Sequence, residues 1–408
     1  MKKIKQGLVP KLRFREFGDA GGWEEKSGNK LFDPISNKKH NSDLPILAIT
    51  QEHGAIPRDK IDYRVSVTDK SIESYKVVEI GDFIISLRSF QGGIEYSSYK
   101  GLCSPAYIIL RRKRDDHEGF FKHYLKTNRF IKDLNKDIEG IRDGKMVSYD
   151  QFSNILIPIP QSKKEQKKIS DCLSSLDELI EAEDQKLEAL QRHKKGLMQE
   201  LFPAEGQTLP KRRFPEFQSA PEWEEKQLGE VADYENGKAH EQDISDNGKY
   251  VVVNSKFIST EGDIRKFTNE GRCLAEKGEI LMVLSDVPNG RAIAKCFLVD
   301  EDNKYTVNQR ICRIKPRKNV SDFILYILNK NEFYLNFDDG VKQTNLRKED
   351  VLSCPIFLPT KKEQQHIADF LSSVDDLITS QIKKLESLRL HKKGLMQQLF
   401  PNASEVQE

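Results

Sequence analysis

The sequence predicts an α/β protein: two domains with β-rich cores, carried by two long helices that pair as a coiled coil. Two observations predict the helices. The stretch from Ser162 to Pro203 recurs 198 residues later as Thr360 to Pro401, and His193-Lys194-Lys195-Gly196-Leu197-Met198-Gln199 returns unchanged as His391 to Gln397. Both copies carry apolar residues at alternating spacings of four and three, the seam of a coiled coil. A third observation predicts the domains. Between the copies lie two dissimilar stretches rich in short β-branched and aromatic runs.

Each helix has a legible start and stop. Ser162-Lys163-Lys164-Glu165 and Thr360-Lys361-Lys362-Glu363 read as capping boxes, in which a hydroxyl takes an orphan amide and the Glu reaches back. Pro160 and Pro359 favour extended chain just before, and Phe202-Pro203 and Phe400-Pro401 mark the ends. Roughly 38 residues at ~1.5 Å rise make a rod of about 57 Å.

The seam consists of Ile169, Leu173, Leu176, Ile180, Leu187 and Leu190 in the first rod, continuing to Leu197 and Leu201. Ile367, Leu371, Val374, Ile378, Leu385 and Leu388 repeat it in the second, continuing to Leu395 and Leu399. Such a seam wants a partner seam, and the chain holds two. Two solitary helices, each packed on its own domain, are the alternative. A whole domain lies between the rods, so either direction can be linked. The antiparallel one gives each half the same surroundings, with pseudo-twofold symmetry, and brings Glu183 near Lys392 and Lys194 near Gln381. Leu179, Met198, Phe370, Leu377, Ile382, Leu390 and Met396 lie off the seam, to pack on the domains or to dock other subunits.

The domain organisation follows: 1–158, a first domain with its N-terminal segment; 159–203, the first long helix; 204–357, a linker and second domain; 358–408, the second long helix and tail. Strands are predicted around 44–49, 83–87 and 106–110, and again around 250–253, 280–284 and 310–314. Helical stretches follow at 119–134 and 321–335. Upstream, Pro10 to Phe17 and Trp23-Glu24-Glu25-Lys26 return, offset by 200, at Pro210 to Phe217 and Trp223 to Lys226. The two domains share landmarks in order. Gly81-Asp82 and Gly278-Glu279 each precede a strand and then a loop, and Gly140 to Lys145 stands where Gly340 to Asn345 stands. They read as one fold with different loops.

Composition excludes more than it selects. Hydrophobic residues make up 37% and charged residues 32%, with 66 basic against 64 acidic groups. Residues 20–158 carry 22 basic and 20 acidic groups and residues 221–358 carry 20 and 24, so any basic face is local. The opening residues have no apolar run and predict no signal peptide; no stretch approaches the ~18 apolar residues of a membrane span. Six cysteines without a C-x-x-C predict reduced thiols in a cytoplasmic protein rather than metal or redox chemistry. A phosphate loop, H-E-x-x-H, a G-x-S-x-G elbow and the motifs of an adenine methyltransferase are all missing, so no catalytic residue and no metal site is predicted. Trp23-Glu24-Glu25-Lys26 reads as an anchored strand start rather than a nuclease cluster.

Loops that differ on a shared framework suit recognition of two different targets. Arg and Lys read guanine edges, and Asn and Gln read adenine. The candidate DNA-binding residues are Arg88, Ser89, Gln91, Arg142 and Lys145 in the first domain, and Ser285, Asn289, Arg291, Lys342, Gln343 and Asn345 in the second. The clusters Arg111 to Arg114 and Arg313, Lys315, Arg317, Lys318 follow matching strands. They suit phosphates or simply solvated strand ends.

These features together resemble the DNA specificity subunits of type I restriction–modification systems (HsdS), over essentially the whole chain. The resemblance rests on Pro160 to Gln166 and its one-residue-shorter counterpart Pro359 to Gln364, on the segments at Leu173 and Leu371, and on the H-K-K-G-L-M-Q helix ends. It implies two target-recognition domains held by an antiparallel helix pair, each reading half of a bipartite, asymmetric DNA site, with helix length setting the unread spacing. It also implies two methylation (HsdM-type) subunits using S-adenosylmethionine and two motor-nuclease (HsdR-type) subunits using ATP and Mg2+, this chain holding no cofactor and no catalytic role itself. A stand-alone two-domain DNA-binding regulator and a coiled-coil adaptor are the alternatives.

Overall fold

The structure, a computed structural model, describes residues 8–41, 43–61, 72–113, 115–136, 147–204, 206–287 and 290–401. The chain divides into two compact units, one of Met1–Gln185 with Ile382–Glu408 and the other of Lys186–Gln381. Each unit thus joins one β-rich domain to part of both long helices.

In the first unit a four-stranded antiparallel sheet runs in the order Phe32–Ile35, Ile108–Arg112, Phe83–Ile85, Glu95–Tyr96. Phe83 pairs with Leu110 and Ile84 with Ile109. Phe83, Ile85 and Leu110 face one core cluster and Ile84 and Ile109 another. Burial on both faces explains why these strands read as unbroken apolar runs rather than as alternation. The second unit repeats the sheet as Ala232–Asn236, Ile311–Pro316, Ile280–Val283, Cys296–Leu298. It adds a second four-stranded sheet over Ile244–Ser245, Phe267–Thr268, Tyr250–Val253 and Tyr305–Val307, the last two strands parallel. The predicted helical stretches each break in two, Glu118–Tyr124 and Asn128–Asn135 in one unit, Ser321–Leu328 and Glu332–Leu335 in the other. At each break a polar side chain caps the second piece: Thr127 accepts from Phe130 N, and Asn331 from Phe333 N.

The long helices span Lys163–Leu201 and Lys361–Leu399, 39 residues each. They run antiparallel, as each unit shows by itself. Ile169 and Leu173 share a buried cluster with Leu399 and Phe400 in the first unit; Ile367 and Leu371 share one with Leu197 and Leu201 in the second. Both clusters also contain residues of the adjoining domain, so these seam ends face partner helix and domain together. Val374 and Leu385 are buried, while Leu176, Ile180, Leu187, Leu190, Ile378 and Leu388 are half-buried. Off the seam, Met198, Phe370 and Met396 pack on the cores, whereas Leu179, Leu377 and Leu390 stay exposed.

The charges that meet along the helices differ from the sequence expectation. Lys392 meets Asp177, not Glu183, which pairs with Lys384. Lys194 meets Asp375 at 2.5 Å, not Gln381. Lys392 and Lys194, like Asp177 and Asp375, are equivalent positions of the repeat, so one contact is made in each unit. Core packing at the helix ends sets the register, and the flexible lysines reach the carboxylates that register brings up. The capping boxes are also revised. Glu165 gives both carboxylate oxygens to the Arg13 guanidinium, 2.8 Å each, and accepts from Trp23 Nε1 at 3.2 Å. Glu363 takes Arg213 the same way at 2.7 Å, while Thr360 Oγ1 accepts from Glu363 N at 3.4 Å. The next residue is equally committed: Gln166 accepts from His117 N and donates to the Pro160 carbonyl, as Gln364 does with Val320 N and the Pro359 carbonyl. The repeated Pro10–Phe17 and Glu-Gln motifs are therefore two sides of one joint between domain and helix.

Candidate nucleic-acid interface

In the first unit Arg88 precedes a single helical turn, Ser89–Gly92, and its side chain is exposed, as is that of Gln91. The turn is fixed from below. Ser89 is 1% exposed and its hydroxyl accepts from Ser86 N at 2.9 Å. Ser89 therefore shapes the loop rather than facing a base, a correction to the sequence expectation. Gly93 has φ +82° and lies where a Cβ would stand 2.1 Å from the Leu125 carbonyl, so only glycine fits. Asn135 Nδ2 donates to the Phe90 carbonyl at 2.6 Å. Beneath, Glu95 is buried against Lys126, and loss of water pushes the Glu95 pKa up and that of Lys126 down. Arg142 and Lys145 lie outside the described residues.

The sequence reading missed Gln51. It sits in the exposed hairpin turn between Leu47–Thr50 and Gly54–Pro57, and its Nε2 donates to the Arg88 carbonyl at 3.3 Å. Gln51 thus joins the face carrying Arg88 and Gln91. Gly54, at φ +68°, was the available signal of that turn.

In the second unit two segments distant in sequence form one site. Ser285–Asp286 pairs with Thr344–Asn345 as a short antiparallel ladder. Gln343 Nε2 donates to Ser285 Oγ at 2.7 Å and lies 3.4 Å from Asn345 Oδ1. Gln343 and Asn345 are exposed, whereas Ser285 is buried and serves as the anchor of Gln343, again a correction. Asp286 organises the adjoining loop, accepting from Val287 N at 2.9 Å, Ala292 N at 2.5 Å and Ile293 N at 3.2 Å. Arg291 stays exposed at its end, its carbonyl accepting from Lys330. Lys342 is exposed, with its backbone N–H on Asp339. Asn289 lies outside the described residues.

The basic clusters after the matching strands serve the units themselves. Arg111 forms a two-pronged pair with buried Asp82, 2.8 Å on each arm; Arg112 pairs with Glu118 and Lys113 with Asp33. Arg313 joins Glu235 and Glu279, Lys315 joins Glu276, and Arg317 joins Asp233. Arg114 lies outside the described residues, and Lys318 is exposed. The Gly81-Asp82 and Gly278-Glu279 landmarks are explained together: each glycine takes a positive φ, and each acid ties its turn to an arginine on the neighbouring strand.

Among the described residues no group of three or more His, Cys, Asp or Glu could hold a metal ion, and no helix is long and apolar enough to cross a membrane. All six cysteines are free thiols; burial pushes Cys103 and Cys312 up to about 12.

Framework and loops together define a two-domain recognition protein, and comparison with known proteins gives its family. The model of the type I restriction modification DNA specificity domain matches residues 22–192 and 221–388. The chain belongs to the family of type I restriction–modification DNA specificity subunits, with two target-recognition domains. It is 28% identical over 362 residues to the type I restriction enzyme MjaVIII specificity subunit of Methanocaldococcus jannaschii, covering 84% of this chain and 82% of that protein. The putative MjaX specificity subunit of the same organism is 25% identical over 410 residues, covering 94% of each. Among solved structures, the type I restriction–modification S subunit from M. genitalium superposes with a TM-score of 0.58 at 16% identity, covering 97% of this chain and all of that one. A chain from a study of complex assembly and conformational transition in a type I system gives 0.55 at 18% identity, covering 93% and 98%. Both share the fold.

Proposed function

We propose that this chain is the non-catalytic reader of a type I restriction–modification complex, and that each domain recognises one half of a bipartite, asymmetric DNA site. One observation carries this reading: the same joint of Arg, Glu and Gln, and the same helix contact, are built twice around two different sets of exposed polar loop residues. Such a design holds a framework constant while the readout varies. Arg88, Gln91 and Gln51 face the first half-site, with Arg142 and Lys145 as further sequence candidates. Arg291, Lys342, Gln343 and Asn345 face the second, joined by Asn289 from the sequence. The helices set the number of unread base pairs between the halves.

The chain also scaffolds catalytic subunits. Leu179 and Leu377 occupy equivalent positions of the repeat and are 43% and 58% exposed. Two like apolar spots on like helices suit two copies of one partner, a methylation subunit. S-adenosylmethionine chemistry belongs to those subunits, ATP and Mg2+ to two motor-nuclease subunits, in the cytoplasm. Genome-wide mapping of methylated adenines, with and without this gene, tests the reading. One bipartite motif losing its methylation is expected; an unchanged methylation pattern overturns it.

A further inference from the structure

Resting on that reading, we infer that the second domain recognises an A·T pair by gripping the thymine methyl between Val287 and Val341, while the neighbouring amides take the adenine edge. Val341 is 75% exposed, the most exposed large hydrophobic among the described residues, and Val287 is 63% exposed. Neither position is a slack loop tip. Val287 N donates to Asp286 Oδ1 at 2.9 Å, and Val341 N donates to Asp339 Oδ1 at 2.9 Å. A second aspartate steadies the latter turn: Asp338 Oδ1 accepts from Gly340 N at 3.0 Å and Thr344 Oγ1 at 3.1 Å. Two valines are thus held out in water beside these hydrogen bonds. Both lie beyond the same end of the ladder that presents Gln343 and Asn345, since Val287 follows Asp286 and Val341 precedes its partner Thr344.

The chemistry of this arrangement is specific. A side-chain amide pairs with adenine N6 and N7, and the thymine of that pair projects its C5 methyl into the same groove, where an apolar side chain contacts it. One Nε2 hydrogen of Gln343 is held by Ser285, and the other makes only a long 3.4 Å contact with Asn345 Oδ1. The amide is thus oriented before DNA arrives while Oε1 and the second hydrogen are left for the adenine edge, and less side-chain freedom is lost on binding. A phosphate-only surface has no use for exposed valines.

The test uses the full chain assembled with its methylation subunits and duplexes carrying the mapped site. Thymines of each half-site are replaced one at a time by deoxyuridine, which removes only the methyl. At one position of the second half-site the affinity falls about fourfold, the value of one buried methyl. The Val287→Ala/Val341→Ala double variant, with an unchanged melting temperature, binds the thymine and uracil duplexes alike. The inference is overturned if uracil is neutral at every position of that half-site, if the half-site has no A·T pair, or if the double variant keeps the full penalty. Loss of all discrimination at the second half-site in the unaltered protein would instead bring down the reading on which it rests.

Discussion

The two units grip their long helices through the same carboxylate, and what each domain brings to it differs. In the second unit Asp375 accepts from Tyr326 Oη at 2.8 Å, while Lys194, 2.5 Å from the same carboxylate, lies over the Tyr326 ring. In the first unit Asp177 meets Lys392, and the domain offers His123, whose Nδ1 is 3.8 Å from Asp177 and whose Nε2 is 3.2 Å from Ser174 Oγ. A phenol at that place is indifferent to pH over the physiological range. The imidazole is 3% exposed, and burial lowers its pKa to about 4, against the pull of Asp177 and with the push of Lys392 and Lys122. A duplicated framework can therefore carry a titratable joint on one side only.

The largest expected effect falls on the joints between domain and helix. Glu165→Ala removes the ion-pair partner of Arg13, leaving it the Ala20 and Gly21 carbonyls, and strands the Trp23 indole. Glu363→Ala removes only the partner of Arg213, which keeps the Ala220 and Pro221 carbonyls, because Trp223 Nε1 has no partner. Losses of about 4 kcal/mol for the first and about 3 kcal/mol for the second are expected, in the range for breaking a buried pair, measured by urea unfolding. Equal losses would mean that the indole contact is worth nothing.

Next comes pH. The folded pKa of His123 lies below its unfolded value of about 6.5, so the unfolded chain binds the extra proton and stability falls as pH drops through 6.5 toward 4. Between pH 7 and pH 5 the first unit loses on the order of 2 kcal/mol. His123→Gln removes that share of the slope, and Tyr326→Phe leaves it untouched; a slope surviving in His123→Gln would end the comparison.

Recognition is expected to divide in the same way. Arg88→Ala weakens the preferred over the mismatched first half-site by about 1–2 kcal/mol, with no change at the second, read by competition binding. Equal weakening on all sequences would reassign Arg88 to a phosphate. Smallest is the helix contact. Asp177→Lys and Lys392→Asp each cost about 0.5–1 kcal/mol, and the double variant recovers part of the loss.

Much of the fold was legible because duplication made the sequence its own comparison. The seam residues themselves follow from periodicity, whereas the antiparallel pairing rests on symmetry and on the family resemblance. The Glu-Gln motifs were legible as helix starts but not as the joints to the domains. The ion-pair register was not legible. Lysine side chains are long enough to reach several partners, and the packing around Phe400 and Phe202 decides which. In the site, Arg88, Gln91, Gln343 and Asn345 were legible as exposed loop residues. Ser89 and Ser285 were misjudged, because a small hydroxyl in a loop reads alike whether it faces water or holds the turn. Gln51 escaped because its contact with Arg88 joins two turns 37 residues apart. Arg111 and Arg313 gave a basic pattern whose acidic partners lie on neighbouring strands, where no local count finds them.

The first unit is completed by residues 382–401, whose Leu395, Met396, Leu399 and Phe400 close over Trp23 and Phe120. The second unit, Lys186–Gln381, is one unbroken stretch. Domains that emerge first from the ribosome usually finish first; here the earlier one must wait, its aromatic floor uncovered, until the later one has been synthesised in full. A chain that has emerged only as far as residue 381 holds every residue of the second unit and still leaves Trp23 and Phe120 without Leu399 and Phe400.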